Sequence, residues 1–168
     1  TVKILLEQRS LNLSLAVEGD KETLDMPISW VHFSESPDPT PYLEGGEVLL
    51  TTGLVMPKDQ PDEIHRSFAS RLIDAGVRGI GFGIGVQHDS IPQWLVYQCE
   101  ATGLALFSVP LKTPFIAISK TIARGISDDT HQNFARMYSN QQRLMRSVKS
   151  LDPVSTIVSR LAELIGGW

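Results

Sequence analysis

Polar side chains capable of chemistry follow two apolar segments of the chain. His32 and Glu35 stand at and just beyond the end of segment 28–33, and Thr51 and Thr52 end segment 47–52. A histidine beside a carboxylate can act as a general base and the group that orients it. A threonine hydroxyl needs a partnered base to act as a nucleophile, and none adjoins this pair in the sequence. These residues therefore indicate a binding site more strongly than a catalytic one.

Two further histidines and the single cysteine do not indicate a metal site. His65 and His131 fall in predicted helices without a ligand-type partner four residues further on. Cys99 is the only cysteine, so the chain can form neither an internal disulfide nor a cysteine-based structural metal site. The sequence predicts no metal and no cofactor, and it fits a reducing, cytoplasmic setting.

Glycine occupies every second position of one predicted strand, at Gly79, Gly81, Gly83 and Gly85. Because side chains alternate across a strand, one face of this strand is bare. A bare face allows either a helix or a flat ligand to approach the backbone closely, and close helix packing is the more ordinary explanation. The glycine spacing matches neither a dinucleotide-binding fingerprint nor a phosphate-binding loop.

Apolar segments of strand type alternate with helical patterns along the first 126 residues. Such alternation requires crossover connections, so it predicts an α/β fold with a mostly parallel sheet and helices on both faces. The predicted strands are 13–17, 28–33, 47–52, 77–85 and 104–109. The predicted helices are 1–10, 59–76, 91–103 and 115–126, and a long C-terminal helical extension follows them.

Ligands of parallel α/β sheets collect beyond the carboxyl ends of the strands. Several residues that could bind a ligand are predicted to lie at that edge. We therefore expect a small-molecule effector to bind there. The expected effector-binding residues are His32, Glu35, Thr51, Thr52, Gly53, Gly83 and Gly85.

Composition limits the function classes. The 168 residues carry a formal net charge of −4, which disfavours a plain DNA-binding domain, since such domains usually carry a basic excess. No apolar run approaches the ~18 residues that a membrane-spanning helix needs, and none resembles a signal peptide. The chain begins at Thr1 and ends at Trp168 directly after an apolar helical pattern. We therefore expect a fragment of a longer protein.

The last third of the sequence predicts two helices. Ser127 and Asp128 can cap a long helix that runs to about Ser150. Its apolar seam is compatible with packing on its own domain or with a dimer-forming signalling helix. Asp152 and Pro153 are typical of the start of a second helix, over 152–168. The candidate dimerisation residues of the seam are Phe134, Met137, Gln141, Leu144, Val148 and Leu151.

Several short motifs resemble, in order, the N-terminal domain of the purine catabolism regulatory protein-like (PucR) family. They are Trp30–Glu35, Leu43–Gly53, Ile91-Pro92, Val109-Pro110 and Thr113–Phe115. The resemblance covers roughly residues 1–125, and the stretch ending in Gly53 is its most specific part.

The resemblance implies a bacterial transcription regulator whose N-terminal α/β domain is sensory or regulatory. It implies that DNA is contacted by a C-terminal helix-turn-helix, beyond a GAF-like region and outside this chain. On this basis 1–126 is the sensory domain, 127–151 a linker or dimerisation helix, and 152–168 the truncated start of the GAF-like domain. A purine-pathway effector follows from the family name alone, and the resemblance supplies no catalytic residue.

Three functional hypotheses follow from these observations. The first is a cytoplasmic, homodimeric, ligand-responsive module, in which an effector at the strand ends biases the helix beginning near Asp128. The second is a structural interaction domain that holds a dimer without any small ligand. The third is a hydrolase or isomerase that uses His32 and Glu35. It is the least supported, because the sequence offers no convergent acid, base and oxyanion set. We therefore expect a protein that is not an enzyme.

Overall fold

The computed structural model describes residues 1–128, and Thr1–Ile126 forms one compact unit. The six candidate dimerisation residues and the predicted helix over 152–168 lie outside the described residues. The unit contains a five-stranded sheet. Its strands are β1 (Ser14–Val17), β2 (Trp30–Phe33), β3 (Glu47–Thr51), β4 (Gly79–Gly83) and β5 (Leu106–Val109).

The strand order is β1-β5-β4-β3-β2, and the sheet is mixed. Strands β2 to β5 are parallel neighbours, which confirms the predicted α/β class. Strand β1 runs antiparallel to β5 at one edge, with a shift in register between Leu15 and Val17. Strand β2 forms the other edge. Because β2 to β5 all run in the same direction, their carboxyl ends lie along one side of the sheet.

Helices cover both faces of the sheet. They are α1 (Val2–Leu6), α2 (Lys21–Asp25), α3 (Phe68–Asp74), α4 (Gln93–Thr102) and α5 (115–128). Helices α3 and α4 pack on the face that carries Leu49, Ile80 and Leu106. Helices α1, α2 and α5 pack on the opposite face, around Leu50 and Phe107. The alternation of apolar side chains along each strand thus supplies two separate cores.

Three helices differ from their sequence predictions. The predicted helix over 1–10 covers only Val2–Leu6, and a separate 3-10 turn follows at Arg9–Leu11. The predicted helix over 59–76 begins only at Phe68. The Asp62 carboxylate accepts a hydrogen bond from the backbone N–H of His65 and also contacts its ring, so this segment forms turns instead. Helix α2 lies between β1 and β2, in a segment for which the sequence predicted no helix. Only Leu24 of this short helix is buried, which explains why its periodicity is weak.

The bare face of β4 is filled by neighbouring side chains. A Cβ atom at Gly81 would lie 2.5 Å from Leu50 Cδ2 and 2.7 Å from Phe107 Cε2. A Cβ atom at Gly83 would lie 3.0 Å from the ring of Phe115, the first residue of α5. The glycines therefore let neighbouring side chains approach the backbone. The favoured interpretation, close helix packing, accounts for Gly83, whereas side chains of β3 and β5 cover Gly81.

We expect Gly81→Ala to lower the free energy of unfolding by about 1–3 kcal/mol, because the added methyl overpacks a site enclosed by Leu50 and Phe107. Urea denaturation followed by circular dichroism measures the change. Gly125→Ala is the matched control, since nothing lies within 4 Å of a Cβ there and the residue is helical. Equal stability of the two variants would show that β4 tolerates side chains on this face.

The thiol of Cys99 is fully buried in α4. Burial, with a smaller contribution from Glu100, raises the pKa of this thiol to about 12. Because the thiolate is the reactive form, we expect the native protein to resist alkylation by iodoacetamide at pH 8 and the urea-unfolded protein to react rapidly. Mass spectrometry of the single adduct measures both rates, and rapid labelling of the native chain would contradict this packing.

Candidate functional site

One carboxylate organises the carboxyl ends of β2 and β3. Glu35 Oε1 accepts hydrogen bonds from the backbone N–H and the hydroxyl of Thr52, both at 2.7 Å. Glu35 Oε2 accepts from the hydroxyl of Thr51 at 3.0 Å and from the backbone N–H of Leu54 at 2.9 Å. We call Glu35 and residues 51–54 the Glu35 clamp. It ties the loop after β2 to the turn after β3.

The hydrogen-bonding sites of the Glu35 carboxylate are all occupied. An ionised carboxylate offers about four lone-pair sites, and four donors occupy them. Glu35 therefore holds the turn after β3 through the backbone N–H groups of Thr52 and Leu54 and through the hydroxyls of Thr51 and Thr52.

Gly53 connects the Glu35 clamp to His88, which follows β4. Its backbone is left-handed, with φ +69°, and a Cβ atom would lie 2.6 Å from Phe82 Cζ, so only glycine fits. The Gly53 N–H donates to the Thr51 hydroxyl at 3.1 Å. Its carbonyl lies 2.9 Å from Nε2 of buried His88, which must carry the proton because a carbonyl only accepts.

The expected binding set left out two hydrogen-bonding residues of this region, Leu54 and His88. The His88 ring packs edge-on against Phe82, with 5.4 Å between ring centroids, and the His88 carbonyl accepts from the Gly85 N–H at 2.7 Å. The signal for His88 in the sequence is its position shortly after β4, beside Gly85. His88 thus joins the turn after β4 to the turn after β3.

A small cavity of about 130 Å³ lies at the ends of β4 and β5. Thr52 and Gly83 contribute to it from the expected set. Gly85 lies next to it, since a Cβ atom there would lie 3.2 Å from Cβ of Leu111. The lining is mostly apolar, because the Thr52 hydroxyl is held by Glu35 and the Thr113 hydroxyl by the Leu11 carbonyl. The lining residues are Thr52, Gly83, Ile84, Val86, Val109, Pro110, Leu111, Thr113 and Phe115.

His32 lies apart from the clamp. Its side chain lines a separate depression together with Trp30 and Glu47. Glu35, three residues later, lies beyond the end of β2 and is directed at the turn after β3. The structure therefore joins six of the seven expected residues into one strand-end region and places His32 in another, and the His32–Glu35 pair of the enzyme hypothesis is not formed.

Residues 1–128 contain no group of three or more histidine, cysteine, aspartate or glutamate side chains placed to hold a metal ion. In the same range, no helix is long and apolar enough to cross a membrane.

We expect Glu35→Gln to lower the free energy of unfolding by about 1–3 kcal/mol, because the amide NH₂ would face N–H donors that need an acceptor. Chemical denaturation measures the loss. Glu22→Gln removes the same charge from an exposed position on α2 and should leave stability within about 0.5 kcal/mol of the parent. A Glu35→Gln protein as stable as this control would mean that the clamp contributes nothing.

Comparison with known proteins connects this domain to a family. The model of the purine catabolism regulatory protein-like family, PucR, matches residues 4–126. A curated protein of Paenarthrobacter nicotinovorans, transcriptional activator PmfR, is 32% identical over 126 residues. That match covers 73% of this chain but 25% of PmfR, so the chain spans about a quarter of the length of its relative. No solved structure shows a significant match.

The family match extends over nearly all of the compact unit Thr1–Ile126, including both edges of the sheet and the Glu35 clamp. It agrees with the resemblance carried by the Trp30–Glu35 and Leu43–Gly53 motifs. The chain therefore belongs to the purine catabolism regulatory protein-like (PucR) family.

Proposed function

We propose that residues 1–126 are the ligand-sensing, regulatory domain of a bacterial transcription regulator that acts in the cytoplasm. Family membership and the name of the relative, a transcriptional activator, support a regulatory rather than an enzymatic role. The relative is about four times as long as its matched segment. In this proposal, DNA is contacted by a part of the regulator outside this chain.

One observation carries the sensory role: the strand-end cavity is lined by Phe115, the first residue of α5. The Phe115 ring covers Gly83 and lies 5.5 Å, between centroids, from the ring of Phe33. Farther along α5, Ile118 and Ile122 are buried against the sheet. An occupant of the cavity would therefore contact the beginning of the helix by which the chain leaves the domain.

The cavity is smaller than the roughly 300–1,000 Å³ of ordinary ligand pockets. We propose that an effector enlarges it by displacing the Phe115 ring from Gly83. A flat ring already packs on the bare glycine, so a flat heterocycle of purine type has a shape that could replace it. A ligand with higher affinity for the displaced arrangement would shift the position of α5.

In this proposal the residues divide into two roles. Thr52, Gly83 and Gly85 lie at or beside the cavity, while Glu35, Thr51 and Gly53 hold the turn from which Thr52 projects. The signal would pass along α5 to a homodimer formed by residues 127–151. The proposed dimer contacts are Phe134, Met137, Gln141, Leu144, Val148 and Leu151.

A docking role without a small ligand is the second candidate, and exposed apolar side chains around the strand ends favour it. Phe33, Val86, Leu111 and Ile116 are each more than half exposed, at 58%, 62%, 67% and 61%. Apolar side chains gathered at one edge are typical of a protein contact surface. Such a domain would bind its protein partner without any ligand in the strand-end cavity.

Isothermal titration with urate, xanthine and allantoin distinguishes these two candidates. We expect one of them to bind the domain, and Gly83→Ala to weaken that binding at least tenfold, because the added methyl occupies the space between Phe115 and Thr52. His32→Ala is the matched control and should bind as the parent does, since His32 lines another depression.

Absence of binding by all three compounds, together with an unchanged effector response of the full-length regulator carrying Gly83→Ala, would contradict the sensory proposal. A domain that self-associates in light scattering under those conditions would instead support docking. Chemical denaturation of each variant separates a loss of binding from a loss of folding.

A further inference from the structure

Strand β2 is an edge strand whose backbone is paired on one side only. It pairs with β3 in a constant register over Trp30–Phe33, and no other strand of residues 1–128 pairs with it. Just beyond its end, the Ser34 N–H donates to the Leu50 carbonyl at 3.1 Å. Because backbone groups alternate between the two sides of a strand, those of Val31 and Phe33 point away from β3. In the described part of the chain they make no hydrogen bond outside the β2–β3 ladder.

The two edges of the sheet differ in how they are protected against pairing with another chain. At β1 the register shifts between Leu15 and Val17, an irregularity that interrupts pairing at sheet edges. Charged side chains surround the depression beside β1, and they are Lys3, Glu7, Glu18, Lys21 and Asp25. The β2 edge has neither feature, since its register is constant and no charged residue occurs from Met26 to Ser34.

Large aromatic side chains flank the β2 edge with much of their surface free. Trp30 and Phe33 lie on opposite faces of the sheet and are 60% and 58% exposed, and Tyr42, beside Trp30, is 71% exposed. Since an aromatic side chain buries about 150–250 Å², the three rings together offer roughly 300–450 Å². That is about half of the roughly 800 Å² that each partner buries in a standard protein interface. An extended strand along β2 would cover these rings and supply the missing backbone partners.

A second copy of β2 fits this edge in one antiparallel register. With a two-fold axis at His32, Val31 of each copy faces Phe33 of the other, so outward backbone groups meet outward backbone groups. An axis at Val31 would instead set Phe33 against Ser29, whose N–H already donates to the Gly46 carbonyl at 2.8 Å. An axis at Phe33 would set Val31 against residue 35, beyond the end of the strand.

The side chains agree with the register centred on His32. Pairs of an aromatic with a β-branched residue, here Phe33 with Val31, stabilise antiparallel strands, whereas like charges directly opposite each other destabilise them. Because a two-fold axis brings each residue close to its own copy, a charged edge strand repels itself. The absence of charge from Met26 to Ser34 removes that obstacle.

We propose that two copies of this chain pair antiparallel along β2, so that their five-stranded sheets join into one continuous sheet with the two-fold axis at His32. The inference rests on the edge strand. It depends neither on the proposed sensory function nor on the proposed dimer contacts of residues 127–151.

Cysteine crosslinking of the whole 168-residue chain tests this register. His32→Cys sets two thiols opposite each other in a pair whose Cα atoms lie about 4.5 Å apart, within the range that a disulfide spans. We expect oxidation by copper phenanthroline to give a disulfide-linked dimer on a non-reducing gel. Trp30→Cys is the matched control on the same face. Its own copy would lie about 13 Å away, four residues along the strand, so its yield of dimer should be at least tenfold lower.

Opposite charges at the axis give an independent test. In His32→Asp or His32→Lys alone, like charges face each other, and we expect each variant to self-associate at least tenfold more weakly than the parent in sedimentation velocity. An equimolar mixture of the two should associate as the parent does, and His32→Asn should remain close to the parent. Residues 127–151 are unchanged in these variants, so a dimer held only by that segment would respond to none of the substitutions.

Absence of the disulfide in the His32→Cys protein, equal yields at positions 32 and 30, or equal association of the charged variants and the parent would each overturn the proposal. The parent chain is the blank for oxidation, because the thiol of Cys99 is buried. Leu111→Ser, in the exposed cluster at the strand ends, should leave the disulfide at position 32 unchanged. Its loss in that double variant would assign the contact to the strand ends instead. Failure of purine-type compounds to bind would leave all of these results unchanged.

Discussion

Four hydrogen bonds to the Glu35 carboxylate determine how the turns at the carboxyl-end edge of the sheet are arranged. Parallel strands leave their carboxyl-end turns unsupported by the ladder, so the backbone N–H groups of those turns need acceptors from elsewhere. Glu35 supplies them for the turn after β3. Gly53 is hydrogen-bonded both to Thr51 and to His88. The turns after β2, β3 and β4 are therefore held together by one chain of hydrogen bonds. The position of Thr52 at the strand-end cavity depends on this chain.

The glycines of β4 connect that edge to α5. Because Gly83 has no side chain, Phe115 can lie directly on the strand, and the first turn of the helix is anchored beside Thr52. The carboxyl-end edge of the sheet is thus in direct contact with the beginning of α5. The Phe115 ring also lines the cavity, whose volume is only about 130 Å³. Under the proposed sensory role, a response requires two arrangements of that ring with different affinities for the effector.

The strand-end cavity and the depression lined by His32 differ in chemistry and lie at different places on the sheet. The strand-end cavity is apolar, with its hydroxyls already engaged, whereas the depression at the start of β3 contains two carboxylates and two exposed aromatic rings. Residues of one strand contribute to each: the side chain of His32 lies in the acidic depression, while Glu35 follows at the strand end. The enzyme hypothesis joined these two residues because they are close in sequence, but successive side chains of a strand point to opposite faces and the chain turns after Phe33.

Local patterns in the sequence determined the α/β class, the five strands to within a few residues and the family, and they favoured packing on the glycine face of β4. These features depend on periodicity, on glycine spacing and on short motifs, all of which are written in neighbouring residues. The late start of α3 was not visible, because the Asp62–His65 contact replaces helical hydrogen bonds that the apolar spacing alone favours. The antiparallel edge strand, the four partners of Glu35, the inclusion of His88 and the separation of His32 were decided only by the tertiary structure, since each depends on residues brought together from distant parts of the chain.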